Sequence, residues 1–386
     1  MHIDFNSSPG PSVGVEVELE VVDRETGELA SAATDILTEL GAGHPDGEHP
    51  KAKHELFECT IEIITGVCHT AAEIKADLAA TLAEVQAACD RRGLALMCSG
   101  THPYSRWRNQ QVSPSPRYAK LITEMRWMAE RLQIFGVHVH VGVRSPEKSI
   151  AIANALAGYI PHLLALTASS PYWEGHDTGL ASSRSKVFEG LPTAGLPAPI
   201  ENWDDFERFM ETLVESSSIS TIREVWWDIR PHPDFGTVEL RMCDGIPTLA
   251  EVASIAALAQ SLVANLDHLH DRGYTLPRHR DWILRQNKWR AGRYGLDTDV
   301  IVDDQGKLEP LRTGIADMVD ELTPMARKLG CVDEICGVRD IVETGPSYVR
   351  QRRVAQPGPD GEIDLRPVVE QLVTELATDT PTPAPA

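Results

Sequence analysis

The chain has 386 residues, of which 42% are hydrophobic and 24% are charged, and this composition excludes wholesale disorder. Lys and Arg number 36 against 57 Asp and Glu, so the formal net charge is −21. This excess of negative charge argues against nucleic acid or an anionic membrane as the main partner. It does not exclude a nucleotide, because acidic sites can hold the metal ions that carry phosphates.

The first elements along the chain are strands and a helix. Residues 13–22 read V-G-V-E-V-E-L-E-V-V, and this alternation predicts a half-buried strand. A loop rich in Gly, His, Pro and Asp at 41–53 precedes a second predicted strand at 56–65. Residues 70–92 predict an amphipathic helix with Thr70 as its N-cap.

The rest of the chain continues the mixture of strands and helices, so we expect an α+β fold. The predicted elements, in chain order, are a strand at 94–99, a loop at 100–116, a helix at 117–133, a strand at 134–143, a helix at 146–170 bent at Pro161, a loop at 171–203, a helix at 204–217, strands at 224–230 and 237–243, a helix at 248–271 and further helix to about 330.

No linker divides the chain, so residues 1–377 are predicted to form a single domain with a helical C-terminal part. The Thr/Pro/Ala-rich tail at 378–386 is predicted to be disordered. The long loop at 171–203 is rich in Gly, Pro and Ser, and loops of this length inside a compact domain are usually functional.

Targeting signals and disulfide patterns are not evident. The seven cysteines are odd in number and include no C-x-x-C pair, which favours a reducing cytoplasm over a disulfide framework. The N-terminus shows no secretory signal. The most apolar stretch, 151–168, is interrupted by polar residues and Pro161, so we expect no bilayer span. Two-fold dimers are the commonest oligomers, so a homodimer is the assembly to test first.

Acidic residues share one face of each of the first two strands. Glu16 and Glu18 point the same way because strand side chains repeat every two residues. They form either a solvated stripe or part of a cation site. On the second strand, parity places Glu58 on the face of Glu62, and Glu55 joins that face only if the backbone turns or bulges. Protective charges on an edge strand are the alternative explanation.

Two later strands carry further polar pairs. His138 and His140 share a strand face, which suits a metal or a phosphate, or equally two partly buried histidines with local hydrogen bonds. Glu239 and Arg241 share a face as a plain ion pair, or as a metal ligand beside a phosphate-binding guanidinium. If these strands form one antiparallel sheet, its polar face is a carboxylate-lined floor. Many carboxylates with one or two imidazoles suit Mg²⁺ or Mn²⁺ better than Zn²⁺.

At this point the chain resembles the glutamate–cysteine ligase type 2 family, also called the YbdK-like carboxylate–amine ligases, over about residues 12–355. More remotely it is similar to the glutamine synthetase superfamily. The matching motifs are Gly14-Val15-Glu16-Val17-Glu18, Ile61-Glu62-Ile63, Gly100-Thr101-His102-Pro103, Pro116-Arg117-Tyr118, Gly136-Val137-His138-Val139-His140, Ser182-Ser183-Arg184-Ser185, Leu191-Pro192-Thr193, Trp227-Asp228-Ile229-Arg230-Pro231, Val238-Glu239-Leu240-Arg241 and Asn287-Lys288-Trp289-Arg290-Ala291.

The resemblance implies a glutamine-synthetase-like catalytic fold, in which an antiparallel sheet forms a funnel-shaped active site flanked by helices. It implies ATP as co-substrate and Mg²⁺ or Mn²⁺ as cofactor. It favours Glu55 over Glu58. The metal ligands it implies are Glu16, Glu18, Glu55, Glu62, His138 and Glu239.

The same resemblance implies the remaining roles. His140 and Arg241 would contact the phosphates and act in catalysis. Asn287 and Arg290 would bind the nucleotide. The acid substrate would contact Arg184, Trp227 and Arg230, although surface salt bridges are the alternative for the two arginines.

The expected activity is ATP-dependent ligation of a carboxylate, the γ-carboxylate of L-glutamate, to an amine through an acyl phosphate. L-Cysteine is the amine by the family's name alone. Segment 175–199 could act as a lid that excludes water. Two alternatives remain open at this point: a metal-dependent hydrolase using His138 and His140, and a non-catalytic nucleotide-binding relative.

Overall fold

The computed structural model describes residues 1–357 and 362–383. Its strands, in chain order, are β1 (Val13–Asp23), β2 (Ala52–His54), β3 (Thr60–Ile64), β4 (Leu94–Met97), β5 (Gly136–Gly142), β6 (Tyr172–Trp173), β7 (His176–Asp177), β8 (Ile229–His232), β9 (Thr237–Asp244), β10 (Asp299–Ile301), β11 (Leu308–Pro310), β12 (Gln356–Pro357) and β13 (Ile363–Asp364).

Seven of these strands form one sheet in the order β2-β3-β1-β5-β9-β8, with β4 paired to β1. Every pairing within it is antiparallel. Three two-stranded ribbons complete the strands of the described residues: β6–β7, β10–β11 and β12–β13. The expected α+β fold with an antiparallel sheet is therefore confirmed.

Helices make up most of the remaining structure. They are α1 (Ala33–Gly41), α2 (Ala71–Asp90), α3 (Pro116–Met125), α4 (Trp127–Glu130), α5 (Pro146–Leu156), α6 (Ile160–Thr167), α7 (Arg184–Phe188), α8 (Trp203–Glu215), α9 (Leu249–Asp271), α10 (Asp281–Tyr294), α11 (Leu311–Leu329), α12 (Val332–Thr344), α13 (Ser347–Val354) and α14 (Arg366–Thr378).

The alternation in β1 sorts its side chains between two faces of the sheet. Val15 and Val17 are buried, whereas Glu16 and Glu18 are only half-buried. The valine face joins a core shared with α2, α5, α6 and α9. Because this face of the sheet is covered by helices, the acidic face is left to line the site.

Two helical segments are long and apolar enough to cross a membrane: 146–167 and Leu249–Asp271. In the folded chain, 72% and 89% of their most apolar windows are buried inside the protein. Both therefore serve as core helices here, and their apolar character follows from burial against the sheet and other helices.

Several elements differ in detail from the predictions. The predicted helix at 117–133 is divided into α3 and α4 at Arg126, whose φ of 48° is incompatible with a continuous helix. The predicted loop at 171–203 contains β6, β7 and α7. The helix at 146–170 is interrupted by a 3₁₀ turn at Ala157–Tyr159, just before Pro161.

The C-terminal end is anchored further than predicted. Helix α14 ends at Thr378, and the next residue, Asp379, accepts a hydrogen bond from the backbone N–H of Ala250 at 2.8 Å. The backbone N–H of Thr382 donates to Glu375 Oε1 at 2.9 Å. The last residues of the predicted tail, 384–386, lie outside the described residues.

Candidate active site

A cavity of about 350 Å³ opens on the polar face of the seven-stranded sheet. Ten of the residues predicted for the site line it together. These are Glu16, Glu18, Glu55, Glu62, His138, His140, Arg184, Arg230, Glu239 and Arg241. Side chains from separated stretches of chain thus converge on one space.

The strand register places acids and imidazoles opposite one another. Glu18 on β1 is the direct partner of Glu62 on β3, and Glu16 on β1 is the direct partner of His138 on β5. His138 Nδ1 lies 3.1 Å from Glu16 Oε2. The floor of the cavity is therefore built by cross-strand pairs, which is why no single sequence segment shows it.

Three groups of possible metal-binding atoms lie along this floor, and within each group the atoms are no more than 4.8 Å apart. They are Glu18, Glu55 and Glu62; Glu16, Glu62 and His138; and Glu16, His140 and Glu239. Carboxylate oxygens dominate all three, and this donor set suits Mg²⁺ or Mn²⁺.

The first group carries more negative charge than its surroundings compensate. Burial, together with the neighbouring Glu55, raises the pKa of Glu18 to about 8. Burial and the nearby carboxylates of Glu55, Glu16 and Glu18 raise the pKa of Glu62 well above its usual value. A bound divalent cation would remove this repulsion, so the residues present fit a metal.

Glu16 has the opposite electrostatic character. Burial alone would raise its pKa, but hydrogen bonds and charge from His138 and His140 outweigh burial and lower it. Burial, followed by the positive charge of Arg241, lowers the pKa of His138 to about 4. At neutral pH this end of the floor therefore offers an ionised carboxylate and a neutral imidazole, which are both good metal ligands.

Glu239 is the centre of a buried ion cluster. Arg230 Nε donates to Glu239 Oε2 at 2.6 Å, and Arg241 Nη1 donates to Glu239 Oε1. Burial would raise the pKa of Glu239, but the two guanidinium groups and the nearby histidines hold it well below its usual value. His140 Nε2 lies 3.8 Å from Glu239 Oε1 and 3.3 Å from Glu16 Oε1, between the two carboxylates.

The two arginines beside Glu239 are not equally free to bind a substrate. Arg230 also donates through Nη1 to the carbonyls of Arg223 and Val225, at 3.1 and 2.8 Å. Arg241, by contrast, has a buried Nε with no hydrogen-bond partner in the described part of the chain. Arg241 is therefore the better placed of the pair to receive an anion.

Arg184 is positioned by residues behind the cavity wall. Its Nη1 and Nη2 donate weakly to the carbonyl of Arg241 at 3.3 and 3.4 Å. A Cβ on Gly136 would lie 2.2 Å from Arg184 Nη2, so any larger residue there would displace the guanidinium group. Asp244 was not among the residues predicted for the site. Its Oδ1 lies 4.0 Å from Arg184 Nη1, and its carboxylate accepts hydrogen bonds from the hydroxyls of Ser170 and Ser182.

The structure separates Glu55 from Glu58. Glu55 lines the cavity, where β2 ends just before it. The Glu58 side chain instead accepts hydrogen bonds from the backbone and hydroxyl of Thr34, at 3.1 and 2.6 Å. The strand predicted from residue 56 begins only at Thr60, so the parity expected between Glu58 and Glu62 does not apply.

Three residues predicted for the site lie outside the cavity. Trp227 is buried against Phe209, with ring centroids 5.2 Å apart, and the preceding Trp226 lines the cavity instead. Asn287 Nδ2 donates to the carbonyl of Ile301 at 2.8 Å, and Arg290 Nη1 donates to that of Asp299 at 3.1 Å. Asn287 and Arg290 therefore tie α10 to β10, and their predicted contact with the nucleotide stays a prediction.

Other lining residues had no predicted role. Arg117, Tyr118 and Lys120 come from α3, and the Pro116-Arg117-Tyr118 match was the only signal for the first two. His232 is the last residue of β8 and Phe235 lies in the turn that follows, and their rings stack with centroids 4.3 Å apart and planes 7° apart. A turn has no periodicity, so the sequence could not indicate which way the ring of Phe235 faces.

Comparison with known proteins gives concordant results. The sequence model of the family described as "Glutamate-cysteine ligase family 2" matches residues 12–371. A Frankia alni protein named "Putative glutamate--cysteine ligase 2-1" is 55% identical over 381 residues, covering 99% of each chain. A Thermobifida fusca protein named "Putative glutamate--cysteine ligase 2" is 50% identical, covering 99% of this chain and 94% of its own.

Solved structures share the fold at low identity. A bifunctional glutathione synthetase from Pasteurella multocida superposes with a TM-score of 0.70 at 14% identity, covering 96% of this chain and 52% of its own. A glutamate–cysteine ligase from Francisella tularensis, crystallised with AMP, gives a TM-score of 0.66 at 14% identity, covering 97% and 93%.

Proposed function

The chain belongs to the glutamate–cysteine ligase family 2, and on that premise we propose that it is an ADP-forming ligase that joins the γ-carboxylate of L-glutamate to the amine of L-cysteine. Family membership supports the coarser activity, ATP-dependent carboxylate–amine ligation. The choice of glutamate and cysteine rests on the names of the relatives alone.

One observation carries the proposal. A single cavity holds three oxygen-rich donor groups beside the guanidinium groups of Arg184 and Arg241. Phosphoryl transfer from a triphosphate to a carboxylate brings two anions together. Divalent cations held by the carboxylates, with guanidinium groups nearby, would offset the repulsion between them.

The metal would be held by the six ligands predicted from the sequence: Glu16, Glu18, Glu55, Glu62, His138 and Glu239. When bound, Mg²⁺ or Mn²⁺ neutralises phosphate oxygens and lets the carboxylate approach the triphosphate.

The reaction itself divides into two balanced steps. A carboxylate oxygen attacks the γ-phosphorus of ATP, forming an acyl phosphate as ADP leaves. The amine nitrogen then attacks the acyl carbon, phosphate leaves with the bonding electron pair, and the nitrogen loses a proton. Arg241 and His140, both at the cavity floor, would stabilise the charge on the phosphoryl group in transit.

No side chain of the protein needs to act as a nucleophile. Each of the seven cysteines, all within the described residues, is free. The one on the strand of Glu239, Cys243, is fully buried, and burial raises its thiol pKa to about 12. Such a thiol stays protonated and inert, which fits a structural role.

Water must be excluded while the acyl phosphate exists. Arg184, Phe188 and Leu191 belong to the segment 175–199 and line the cavity. We propose that this segment covers the intermediate, as expected of a lid.

The direct test is product analysis. Purified protein with ATP, Mg²⁺, L-glutamate and a panel of amines should release ADP and phosphate in an amine-dependent way. Release of AMP and pyrophosphate would contradict the acyl phosphate mechanism. Tightly bound zinc with no nucleotide turnover would favour a hydrolase that uses His138 and His140, whereas ATP binding without turnover would favour a non-catalytic relative.

A further inference from the structure

The active-site cavity has an apolar side that neither the metal ligands nor the arginines explain. Six of its aliphatic and aromatic lining residues form what we name the apolar wall: Leu56, Leu121, Met125, Leu132, Ile134 and Phe188. Leu56 is buried, and the other five are only half-buried. Half-buried apolar side chains around a cavity are available to contact a ligand, whereas those of the core are already covered by the protein.

Helix α3 turns its apolar side toward this cavity. None of its ten residues is buried, although Leu121 and Met125 are four positions apart and so share one face of the helix. Leu121 packs, together with Leu132, against the small cluster that contains Leu56. The apolar face of α3 is therefore open to whatever occupies the cavity.

The apolar wall borders one end of the floor, the end that holds three carboxylates: Glu18, Glu55 and Glu62. Leu56 directly follows Glu55 in the chain. Ile134 lies two residues before Gly136, whose backbone N–H donates to Glu18 Oε2 at 2.5 Å. The ring of Phe188 lies beside the guanidinium group of Arg184, with its centroid 5.8 Å from Cζ, and Arg184 in turn lies against Gly136.

The other end of the floor has different surroundings. There the ring centroid of His140 lies 5.5 Å from that of His232 and 5.6 Å from that of Phe235. Arg241 is bonded to Glu239 at the same end. Because His140 and Arg241 are the groups assigned above to the phosphates, the acid and the amine would meet at the three-carboxylate end, beside the apolar wall.

An apolar wall discriminates between amines by their side chains. The charged residues of α3 that line the cavity are exposed and form its rim: Arg117, Lys120 and Glu124. A side chain that lies along the wall itself meets carbon and sulfur atoms. Burial there is favourable for an alkyl or aryl group, whereas an amide or hydroxyl group would lose its hydrogen bonds to water without replacement.

We propose that the apolar wall is the acceptor pocket and that the amine joined by this enzyme carries an apolar side chain. L-Cysteine is a small member of this class, because its thiol behaves as a small hydrophobic group. Amino acids with branched alkyl side chains are larger members that the same pocket takes. This inference rests on the proposed function and adds to it the substrate class of the amine.

Steady-state kinetics with two pairs of amino acids of matched shape tests the proposal: L-leucine with L-asparagine, and L-valine with L-threonine. With ATP, Mg²⁺ and L-glutamate, kcat/KM for amine-dependent ADP release should be higher for the apolar member of each pair by about tenfold. Equal values within both pairs, or turnover with L-cysteine alone, overturn the assignment of the pocket and leave the proposed function standing. No turnover with any amine overturns the proposed function, and this inference with it.

Met125→Gln tests the wall directly, because it places a polar side chain of similar length on a helix that has no buried residue. The preference for L-leucine over L-asparagine should fall by about fivefold, with the KM for ATP unchanged. Met128→Gln is the matched control, because Met128 is also half-buried but does not line the cavity, and it should keep the wild-type preference.

The same variant separates substrate selection from water exclusion. If the wall only excludes water, Met125→Gln should raise ADP release in the absence of amine and leave the preference unchanged, and that result overturns the proposal. Circular dichroism checks that both variants are folded. The comparison of amino-acid pairs in the wild type needs no variant, so the proposal stays testable if Met125→Gln does not fold.

Discussion

Glu18 and Glu62 are direct cross-strand partners on β1 and β3, so two carboxylates face each other on neighbouring antiparallel strands. Like charges in this position destabilise a sheet unless something compensates them. Glu55 adds a third carboxylate to the same group. This group of carboxylates therefore destabilises the cation-free protein and stabilises the protein once a divalent cation is bound.

Glu62→Gln is expected to change stability in opposite directions with and without metal. In chelator the variant should be more stable than the wild type, by up to about 1 kcal/mol, because Glu62 must either repel the neighbouring carboxylates or take up a proton, and glutamine does neither. With Mn²⁺ it should lose most of the stabilisation that the wild type gains from binding. Calorimetric melting in EDTA and in Mn²⁺ measures both. Glu84→Gln, with a side chain 57% exposed, is the control and should show neither effect.

Glu16→Gln and Glu239→Gln should both abolish turnover but differ in stability. Among the residues that the structure describes, Glu16 pairs with two imidazoles and with no arginine or lysine, so its replacement should leave the protein folded. Glu239 is 1% exposed and neutralises two buried arginines, so its replacement should lower the free energy of unfolding by about 3 kcal/mol. Urea unfolding and an ADP-release assay separate the two. Equal stability of both variants would contradict the central role of Glu239 in the ion cluster.

Nucleotide affinity should depend on Arg241 and not on Arg290. Arg241→Lys loses the planar guanidinium in the cavity, so we expect ATP to bind about tenfold more weakly. Arg290→Ala removes a contact to the carbonyl of Asp299 outside the cavity, and ATP affinity should stay within twofold. Calorimetric titration with ATP and Mn²⁺ measures both. A large loss in Arg290→Ala would restore the nucleotide-binding role expected from the motif.

Lys288 should contribute far more stability than its neighbour Lys186. Lys288 Nζ lies 2.6 Å from Asp228 and 2.7 Å from Glu189, and its side chain is 3% exposed. Lys288→Met leaves buried Asp228 without its partner and should cost about 3 kcal/mol. Lys186→Met breaks a half-exposed pair with the same Glu189 and should cost under about 1 kcal/mol. Denaturant titration of both variants compares them, and equal losses would show that burial does not set the difference.

His102 should make stability depend on pH away from the cavity. Its Nδ1 accepts from the backbone of Ser105 at 2.9 Å, and its Nε2 lies 2.9 Å from the carbonyl of Gly27. Burial lowers its pKa to about 3, against about 6.5 in the unfolded chain. The unfolded state alone binds this proton between those values, so stability is complete above about pH 6.5 and falls as the pH drops.

His102→Asn removes that proton-binding group. The free energy of unfolding of the variant should therefore fall less steeply on acidification than that of the wild type. The difference should approach about 1.4 kcal/mol per pH unit between pH 6 and 4. Urea unfolding at several pH values measures it. Parallel curves for the two proteins would mean that His102 is not held neutral in the fold.

The strands that build the floor could be read directly from the chain. Alternation in β1, β5 and β9 assigned Glu16, His138 and Glu239 to polar faces, because side chains in a strand repeat every two residues whatever surrounds them. Helix α2 was equally predictable from its cap, Thr70.

Residues outside regular strands were not predictable in this way. Glu55 follows the end of β2, and strand parity alone chose Glu58, which instead binds Thr34. Trp226 rather than Trp227 faces the cavity. The sequence could not show this, because neither residue lies in a strand that would set the direction of its side chain. Asn287 and Arg290 look like ligand-binding residues in a motif, but they bind the neighbouring hairpin.

The amino-acid sequence by itself determined which side chains share a face of each strand and that the chain can form an α+β core. Only the tertiary structure decided which faces meet, because the pairing of β3, β1, β5 and β9 joins residues far apart in sequence. Periodicity acts within one element, whereas a cation site needs donor atoms from several elements within a few ångströms of one another.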